Sequence, residues 1–200
     1  MTMELLFAAV FFAFVSSISP GPNNLMLMAS GANFGFNRSV PHMLGIGIGF
    51  TVMIVLVGAG LTQLFDLFPN SYTLLKFGSV LYLGWLAWNI AHTSALEDAE
   101  EPAAQPLTFI QAAAFQWVNP KAWAMSLTAT SAYAPTQEFK DILLVAAIFG
   151  LVNFPCISTW TFMGRELRRI LNNPARLRLF NRTMAGLLMA SIYPVLFAFT

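Results

Sequence analysis

The amino-acid sequence predicts an all-α integral membrane protein, and three features lead to that fold class. Hydrophobic residues make up 57% of the 200 residues and charged residues only 10%, whereas a soluble domain carries about 25% charged residues. The hydrophobic residues form long continuous runs, which is typical of membrane-spanning helices and not of alternating strands. The charged residues are concentrated between these runs. We therefore expect one membrane-embedded domain that covers residues 1–200.

Six runs are long enough to cross a bilayer as helices, for which roughly 20 mostly apolar residues are needed. In chain order the runs cover 4–29, 40–64, 72–92, 108–131, 141–163 and 179–199. The first run carries Glu4 where a signal peptide has a basic segment, and its apolar part is too long for a signal peptide. We therefore interpret it as the first transmembrane helix.

The basic residues predict how these helices are oriented. With six crossings, seven basic residues fall on one side of the membrane: Arg38, Arg165, Arg168, Arg169, Arg176, Arg178 and Arg182. Only Lys76 and Lys140 fall on the other side. Because Lys and Arg accumulate on the cytoplasmic side, both termini are expected outside and the loops at 30–39, 93–107 and 164–178 inside. A lipid-binding or partner-binding role of the arginine cluster is the alternative interpretation.

The first and fourth runs are interrupted in their interiors by prolines and polar residues. The first break consists of Ser19, Pro20, Gly21, Pro22, Asn23 and Asn24, and the second of Asn119, Pro120 and Lys121. Proline costs about 3 kcal/mol inside a helix but is favourable at the first position after a capping residue. Ser19 and Asn119 are good N-caps, and each precedes a proline. We therefore predict two half-helices in each run, with a simple proline kink as the alternative.

The two breaks fall at equivalent places, each in the first helix of a group of three. Since three is odd, the two groups cross the membrane in opposite orientations. This arrangement predicts two inverted three-helix repeats with helices 1 and 4 broken at the transport site. A GxxxG pair in the second helix, Gly45 and Gly49, predicts close helix packing.

The residues at the breaks indicate a binding site for an amino-acid zwitterion. The N-termini of two half-helices and the Lys121 ammonium suit a carboxylate, and the carbonyl ends of the preceding half-helices suit an ammonium group. Neutral donors and acceptors complete the predicted site: Gln116, Asn23, Asn24 and Asn153. Asn153 and Pro155 are also expected to interrupt the fifth helix, as a hinge or as a kink.

Neither a cofactor nor a metal ion is expected. The chain has one cysteine, Cys156, and its two histidines, His42 and His92, lie far apart in sequence. We expect His42 near the membrane interface. The net charge of +1 gives no reason to expect a nucleic-acid partner.

The residues at both breaks resemble a known transporter family. Ser-Pro-Gly-Pro-Asn-Asn at 19–24 and Asn-Pro-Lys at 119–121 resemble the two motifs of the LysE/RhtB amino-acid exporters. The segments 82–88 and 115–119 are most similar to the cysteine/O-acetylserine exporter branch. The resemblance implies a bacterial inner-membrane permease, with both termini then periplasmic. It also implies export of amino acids or related metabolites driven by the proton gradient, a homodimer, and a substrate pathway along the two motifs.

Two other functions are alternatives to transport. A membrane-embedded enzyme needs a base or nucleophile, but only Lys121 and Cys156 lie deep in the predicted helices, without an acidic or histidine neighbour in sequence. A structural subunit has no use for costly polar residues in the membrane. Since no acidic residue lies deep in a helix, a carboxylate relay for protons is not visible. Lys121 is therefore the predicted group for binding the substrate carboxylate, the proton, or both. The alternative is that Lys121 snorkels or bonds the backbone carbonyls at the end of the first half-helix.

Overall fold

The computed structural model describes residues 1–63, 67–68, 70–93, 105–134, 136, 138–171, 173–191 and 193. Within these residues the chain forms eight α-helices and no β-strand. The helices are α1 (Met3–Ile18), α2 (Pro22–Phe34), α3 (Phe36–Leu56), α4 (Asn70–His92), α5 (Phe109–Phe115), α6 (Pro120–Tyr133), α7 (Phe139–Arg168) and α8 (Pro174–Ala190). The predicted all-α class is confirmed.

Several helices are long and apolar enough to cross a membrane. In the described part of the chain these are Phe36–Leu61, Thr73–His92 and Phe139–Arg168. Helices α1 and α2 meet the same criteria as a pair, bent by 53° at the first break, and the number is four if this pair is one span. The structure thus supports a multi-pass membrane protein, and the six crossings stay a prediction. The end of the sixth predicted run, 194–199, and most of the loop at 93–107 lie outside the described residues.

Both predicted breaks are present. Three residues separate α1 from α2, and a short 3₁₀ turn, Gln116–Val118, followed by Asn119 separates α5 from α6. The fifth run differs from the prediction, because α7 continues through Asn153 and Pro155 without interruption. Proline is tolerated there because side chains and neighbouring helices can satisfy the backbone carbonyl that it leaves free.

Glycine sets two further features of the backbone. Gly35 has a φ of 83° and separates α2 from α3, and Gly60 has a φ of 101° in a π-helical turn that extends α3 over Val57–Leu61. Only glycine adopts such values at little cost. Gly35 lies in the loop predicted at 30–39, whereas the π-helical turn lies inside the single run predicted over 40–64 and is not predicted.

Helix α3, in the second predicted run, packs closely against α5, in the fourth predicted run, as the GxxxG pair of α3 indicated. A Cβ atom on Gly45 would lie 2.3 Å from the carbonyl oxygen of Phe109, and one on Gly49 would lie 2.7 Å from Cα of Ala113. The backbones of α3 and α5 therefore touch where these glycines lie. This contact places α5, and with it the second break, beside α3.

Candidate functional site

The first break leaves the N-terminus of α2 open. Helix α1 ends at Ile18 with Ser19 as its C-cap, and α2 begins at Pro22 with Gly21 as its N-cap. No side chain caps α2, so the N–H groups of its first turn face the break. The prediction that Ser19 caps the second half-helix is wrong, because α2 starts two residues later than the motif suggests.

The second break has the predicted cap. Asn119 precedes α6, Pro120 is the first helical residue, and the Asn119 Oδ1 atom accepts a hydrogen bond from the backbone N–H of Lys121 at 3.1 Å. Two tryptophans flank this break and pack against each other: Trp123 Nε1 donates to the carbonyl oxygen of Trp117 at 2.9 Å.

Lys121 joins the two breaks. Its Nζ atom donates to the carbonyl oxygen of Ser19 at 2.7 Å, to Ser19 Oγ at 2.9 Å and to the carbonyl oxygen of Pro20 at 3.4 Å. The ammonium group thus lies at the negative end of α1, where a cation is favourable. A Cβ atom on Gly21 would lie 2.7 Å from Lys121 Cδ, so a side chain at this position would displace the end of the lysine side chain. The structure shows the carbonyl-binding alternative for Lys121.

Amide side chains fix the geometry of the breaks. Asn23 Nδ2 donates to Gln116 Oε1 at 2.9 Å, and Gln116 Nε2 donates back to Asn23 Oδ1 at 3.2 Å. Asn24 Nδ2 donates to the carbonyl oxygens of Ser17 and Ser19, both at 2.8 Å. These bonds satisfy carbonyls that the end of α1 leaves free. The first pair also ties α2 to the segment before the second break.

A small cavity lies between the breaks. Its volume of about 20 Å³ holds no more than one water molecule. Its lining includes Ser16, Ser17, Gly21, Asn23, Asn24, Phe50, Asn119, Lys121, Ala122, Met125, Asn153 and Ile157. Asn153 Nδ2 donates to Ser17 Oγ at 3.1 Å, whereas its buried Oδ1 atom has no partner. A hydrogen-bond acceptor is therefore available in this cavity.

Comparison with known proteins assigns the family. The model of the LysE type translocator family matches residues 14–196. The chain belongs to the LysE-type translocator family. It is similar to the "Cysteine/O-acetylserine efflux protein" of Escherichia coli (strain K12), of Shigella sonnei (strain Ss046) and of Shigella flexneri. Each relative is 28% identical over 178 residues, which cover 88% of this chain and 90% of the relative. No solved structure matches.

Family membership decides between the broad alternatives. LysE-type translocators are transporters, so the enzyme and structural-subunit alternatives are rejected. Among the described residues, no group of three or more His, Cys, Asp or Glu side chains is placed to hold a metal ion.

The fold of this LysE-type translocator brings the predicted site residues together. Six of them line the cavity: Gly21, Asn23, Asn24, Asn119, Lys121 and Asn153. Ser19 and Pro20 contact the Lys121 ammonium, Gln116 pairs with Asn23, and Pro22 and Pro120 start the half-helices. The prediction does not include Ser16 and Ser17, although two serines directly before a proline break are a usable signal.

Proposed function

We propose that this protein exports small neutral amino acids or related metabolites and that the two breaks form its substrate site. The observation that carries the proposal is the Lys121 ammonium at the end of α1, beside the uncapped N-terminus of α2. Two sources of positive potential thus lie beside backbone carbonyls in one polar cavity. The names of the relatives support the substrate class, because they describe efflux of cysteine and O-acetylserine.

In the proposed binding mode, Lys121 exchanges the carbonyl oxygens of Ser19 and Pro20 for the carboxylate of the substrate. A substrate carboxylate would bind Lys121 Nζ and the N–H groups of the first turn of α2. The carbonyl oxygens of Ser19 and Pro20, released from the lysine, and the unpartnered Oδ1 atom of Asn153 would accept from the substrate ammonium. Both charges of a zwitterion would then have partners within a cavity whose described lining residues include one cation and no carboxylate.

The site must open before it can bind a substrate, because the present cavity admits no more than one water molecule. We propose that opening separates the two breaks and exposes the site to one side of the membrane at a time. Lys121 is the group that exchanges the proton. A bound carboxylate favours the charged lysine and its release favours loss of the proton, so that substrate binding and protonation of Lys121 are coupled.

The proposed arrangement in the membrane has six crossings in two inverted three-helix repeats within one domain. The membrane is the bacterial inner membrane, both termini lie in the periplasm, and the protein forms a homodimer. The asymmetry of the basic residues supports this orientation. The matching positions of the two breaks support the inverted repeats.

The test is transport by the purified protein in proteoliposomes with an imposed pH gradient. A panel of radiolabelled amino acids, with cysteine and O-acetylserine included, is compared with protein-free liposomes. We expect accumulation of small neutral amino acids that collapses when a protonophore dissipates the gradient. A transport rate that does not depend on the pH gradient would refute proton coupling. Absence of transport for every amino acid in the panel would refute an amino-acid substrate.

A further inference from the structure

A second cavity, larger than the first, lies at the other end of α2, and we infer that it is a binding site that receives the substrate from the cytoplasm, with His42 as its recognition group. Its volume is about 290 Å³. Its lining residues are Met26, Ala29, Ser30, Asn33, Phe34, His42, Trp85, Leu86, Asn89, Ile90, Thr93, Gln105, Pro106, Leu107, Thr108 and Gln111. This inference rests on the proposed function.

His42 is the group that points to a ligand. Its side chain is buried, with 2% exposed, and neither Nδ1 nor Nε2 has a hydrogen-bond partner. The expectation that His42 lies at the membrane interface is therefore wrong, because α3 places it inside the helix packing. Leaving a buried donor or acceptor unpaired costs about 1–3 kcal/mol. Packing closes off both atoms in this structure, so a ligand in the cavity that His42 lines reaches them through a local shift of the ring.

The other buried polar groups of this cavity already have partners. Ser30 Oγ lies 2.7 Å from Ser39 Oγ, and Asn33 exchanges two hydrogen bonds with Asn181 at 2.8 and 3.0 Å. They hold α2 against its neighbours and leave His42 as the unsatisfied buried group of the lining. A role in packing thus explains these polar residues but does not explain the histidine.

The lining also defines the class of ligand. Among the described residues of the lining there is no Asp, Glu, Lys or Arg, so an ion with a net charge would lack a counter-charge from them. A neutral imidazole offers one donor and one acceptor on opposite edges of its ring, so one of its nitrogens can bind the carboxylate or the ammonium of a zwitterion. The volume lies just below the range of about 300–1,000 Å³ for ligand pockets. The cavity therefore suits a small neutral amino acid.

The position of this second cavity suits a site through which the substrate reaches the first cavity, between the two breaks. Its lining includes Phe34 at the end of α2, Thr93 directly after α4 and Thr108 directly before α5, and these ends lie on the side predicted to be cytoplasmic. At its inner end, Met26 follows Asn23 by about 5 Å along α2. Asn23 and its partner Gln116 thus lie near the inner end of this cavity, and Asn23 also lines the first cavity.

Everted membrane vesicles test the assignment, because their cytoplasmic face is turned to the medium. The uptake of radiolabelled cysteine is measured against its concentration under reducing conditions. His42→Phe keeps a flat ring but removes both nitrogens, and we expect the half-saturating concentration to rise about tenfold. His42→Gln, which restores a donor and an acceptor, should recover part of that loss.

The matched control is His92→Phe, since His92 is exposed on α4, stacks on Trp88 and does not line the cavity. We expect wild-type uptake for this variant. Equal half-saturating concentrations for wild type, His42→Phe and His92→Phe would overturn the inference.

A second test acts at the exposed mouth and does not depend on whether the His42 variants fold. Asn89→Trp places a large side chain at the mouth and should lower uptake several-fold, whereas Leu81→Trp, at a position 73% exposed on the same helix, should not. In a Cys156→Ser background, O-acetylserine, which has no thiol to consume the reagent, should slow alkylation of Asn89→Cys but not of Leu81→Cys. A cavity that holds only water would show no protection and would contradict the inference.

The same vesicles separate the failure of this inference from the failure of the proposed function. If wild-type protein transports none of the amino acids tested, the proposed function fails. If wild-type protein transports cysteine and Lys121→Gln does not, but His42→Phe and Asn89→Trp behave as wild type, only the access site fails.

Discussion

Gly31 and Gly164 lie where α2 crosses α7, and each leaves room for the backbone of the other helix. A Cβ atom on Gly31 would lie 2.1 Å from the carbonyl oxygen of Thr161, and one on Gly164 would lie 2.0 Å from that of Met28. Helix α2 starts at the first break, and α7 carries Asn153. This crossing therefore sets how far Asn153 lies from the break.

Replacing either glycine with alanine should destabilise the protein. The new methyl group meets backbone on the opposite helix, so it cannot be accommodated by a change of rotamer, and overpacking of this kind costs about 1–3 kcal/mol. We expect Gly31→Ala and Gly164→Ala to lower the thermal midpoint in detergent by several degrees, measured by size-exclusion chromatography after heating. The controls are Gly84→Ala and Gly186→Ala, where nothing lies within 4 Å of the added Cβ. Midpoints equal to those of the controls would contradict the close crossing.

Replacing Pro20 and Pro22 together with alanine should stop transport but not folding. Alanine favours a continuous helix over α1 and α2, which removes the open N-terminus of α2 and moves the Ser19 carbonyl away from Lys121. We expect normal amounts of protein in the membrane and export near background. Pro155→Ala is the matched control, because Pro155 is exposed within the uninterrupted α7. Export by the double variant at the wild-type rate would show that the first break is only a kink.

The sequence predicts local features of this fold well. Proline and glycine act on the backbone through their own covalent structure, so the breaks at Pro20–Pro22 and at Pro120 can be predicted without knowledge of packing. The Asn119 cap is also local, since its side chain bonds a backbone N–H two residues away. Ser19 is different: it had an equally good cap sequence, but it ends α1 and binds Lys121, 102 residues away.

Features that depend on packing could not be predicted. Whether His42 is buried depends on which helices surround α3, and no periodicity in the sequence contains that information. The same holds for the crossing of Gly31 and Gly164, which join helices 133 residues apart in sequence. The partners of Lys121 were predicted as alternatives, because burial of a lysine demands partners but does not choose between a substrate and backbone carbonyls.

The predicted orientation can be tested with single cysteines in a Cys156→Ser background. Thr2 and Asn70 should lie outside, and Ile170, in the turn after α7, should lie inside because the basic residues cluster there. An impermeant thiol reagent added to intact cells with a permeable outer membrane should label Thr2→Cys and Asn70→Cys but not Ile170→Cys. Labelling of Ile170→Cys alone would show that the orientation in the membrane is the reverse of the predicted one. Disrupted cells, in which all three positions should react, control for access to each thiol.

Replacing Lys121 with glutamine should abolish export while the protein still inserts and folds. Glutamine removes the ammonium that lies 2.7 Å from the Ser19 carbonyl oxygen, and it also removes a charge that costs about 2.5–3.5 kcal/mol at a helix centre on insertion scales. We expect wild-type protein levels and export near background. Lys140→Gln is the control, since Lys140 is exposed and pairs with Glu138 at 2.6 Å. If Lys121→Gln keeps both the wild-type affinity for cysteine and the wild-type rate, Lys121 does not bind the carboxylate.

Replacing Lys121 with arginine separates binding of the carboxylate from transfer of the proton. Arginine keeps a positive charge beside the Ser19 carbonyl and forms strong bonds with carboxylates, but it does not lose its proton in proteins. We therefore expect the arginine variant to retain cysteine binding and to lose acceleration of export by a pH gradient. The measurement is cysteine binding to purified protein by isothermal titration calorimetry, together with transport in proteoliposomes at several imposed gradients. The matched control is again a change outside the site, Lys140→Arg, which should respond to the gradient as wild type does. An arginine variant whose transport rises with the pH gradient as steeply as wild type would eliminate Lys121 as the proton carrier, and the coupling group would then have to be another residue.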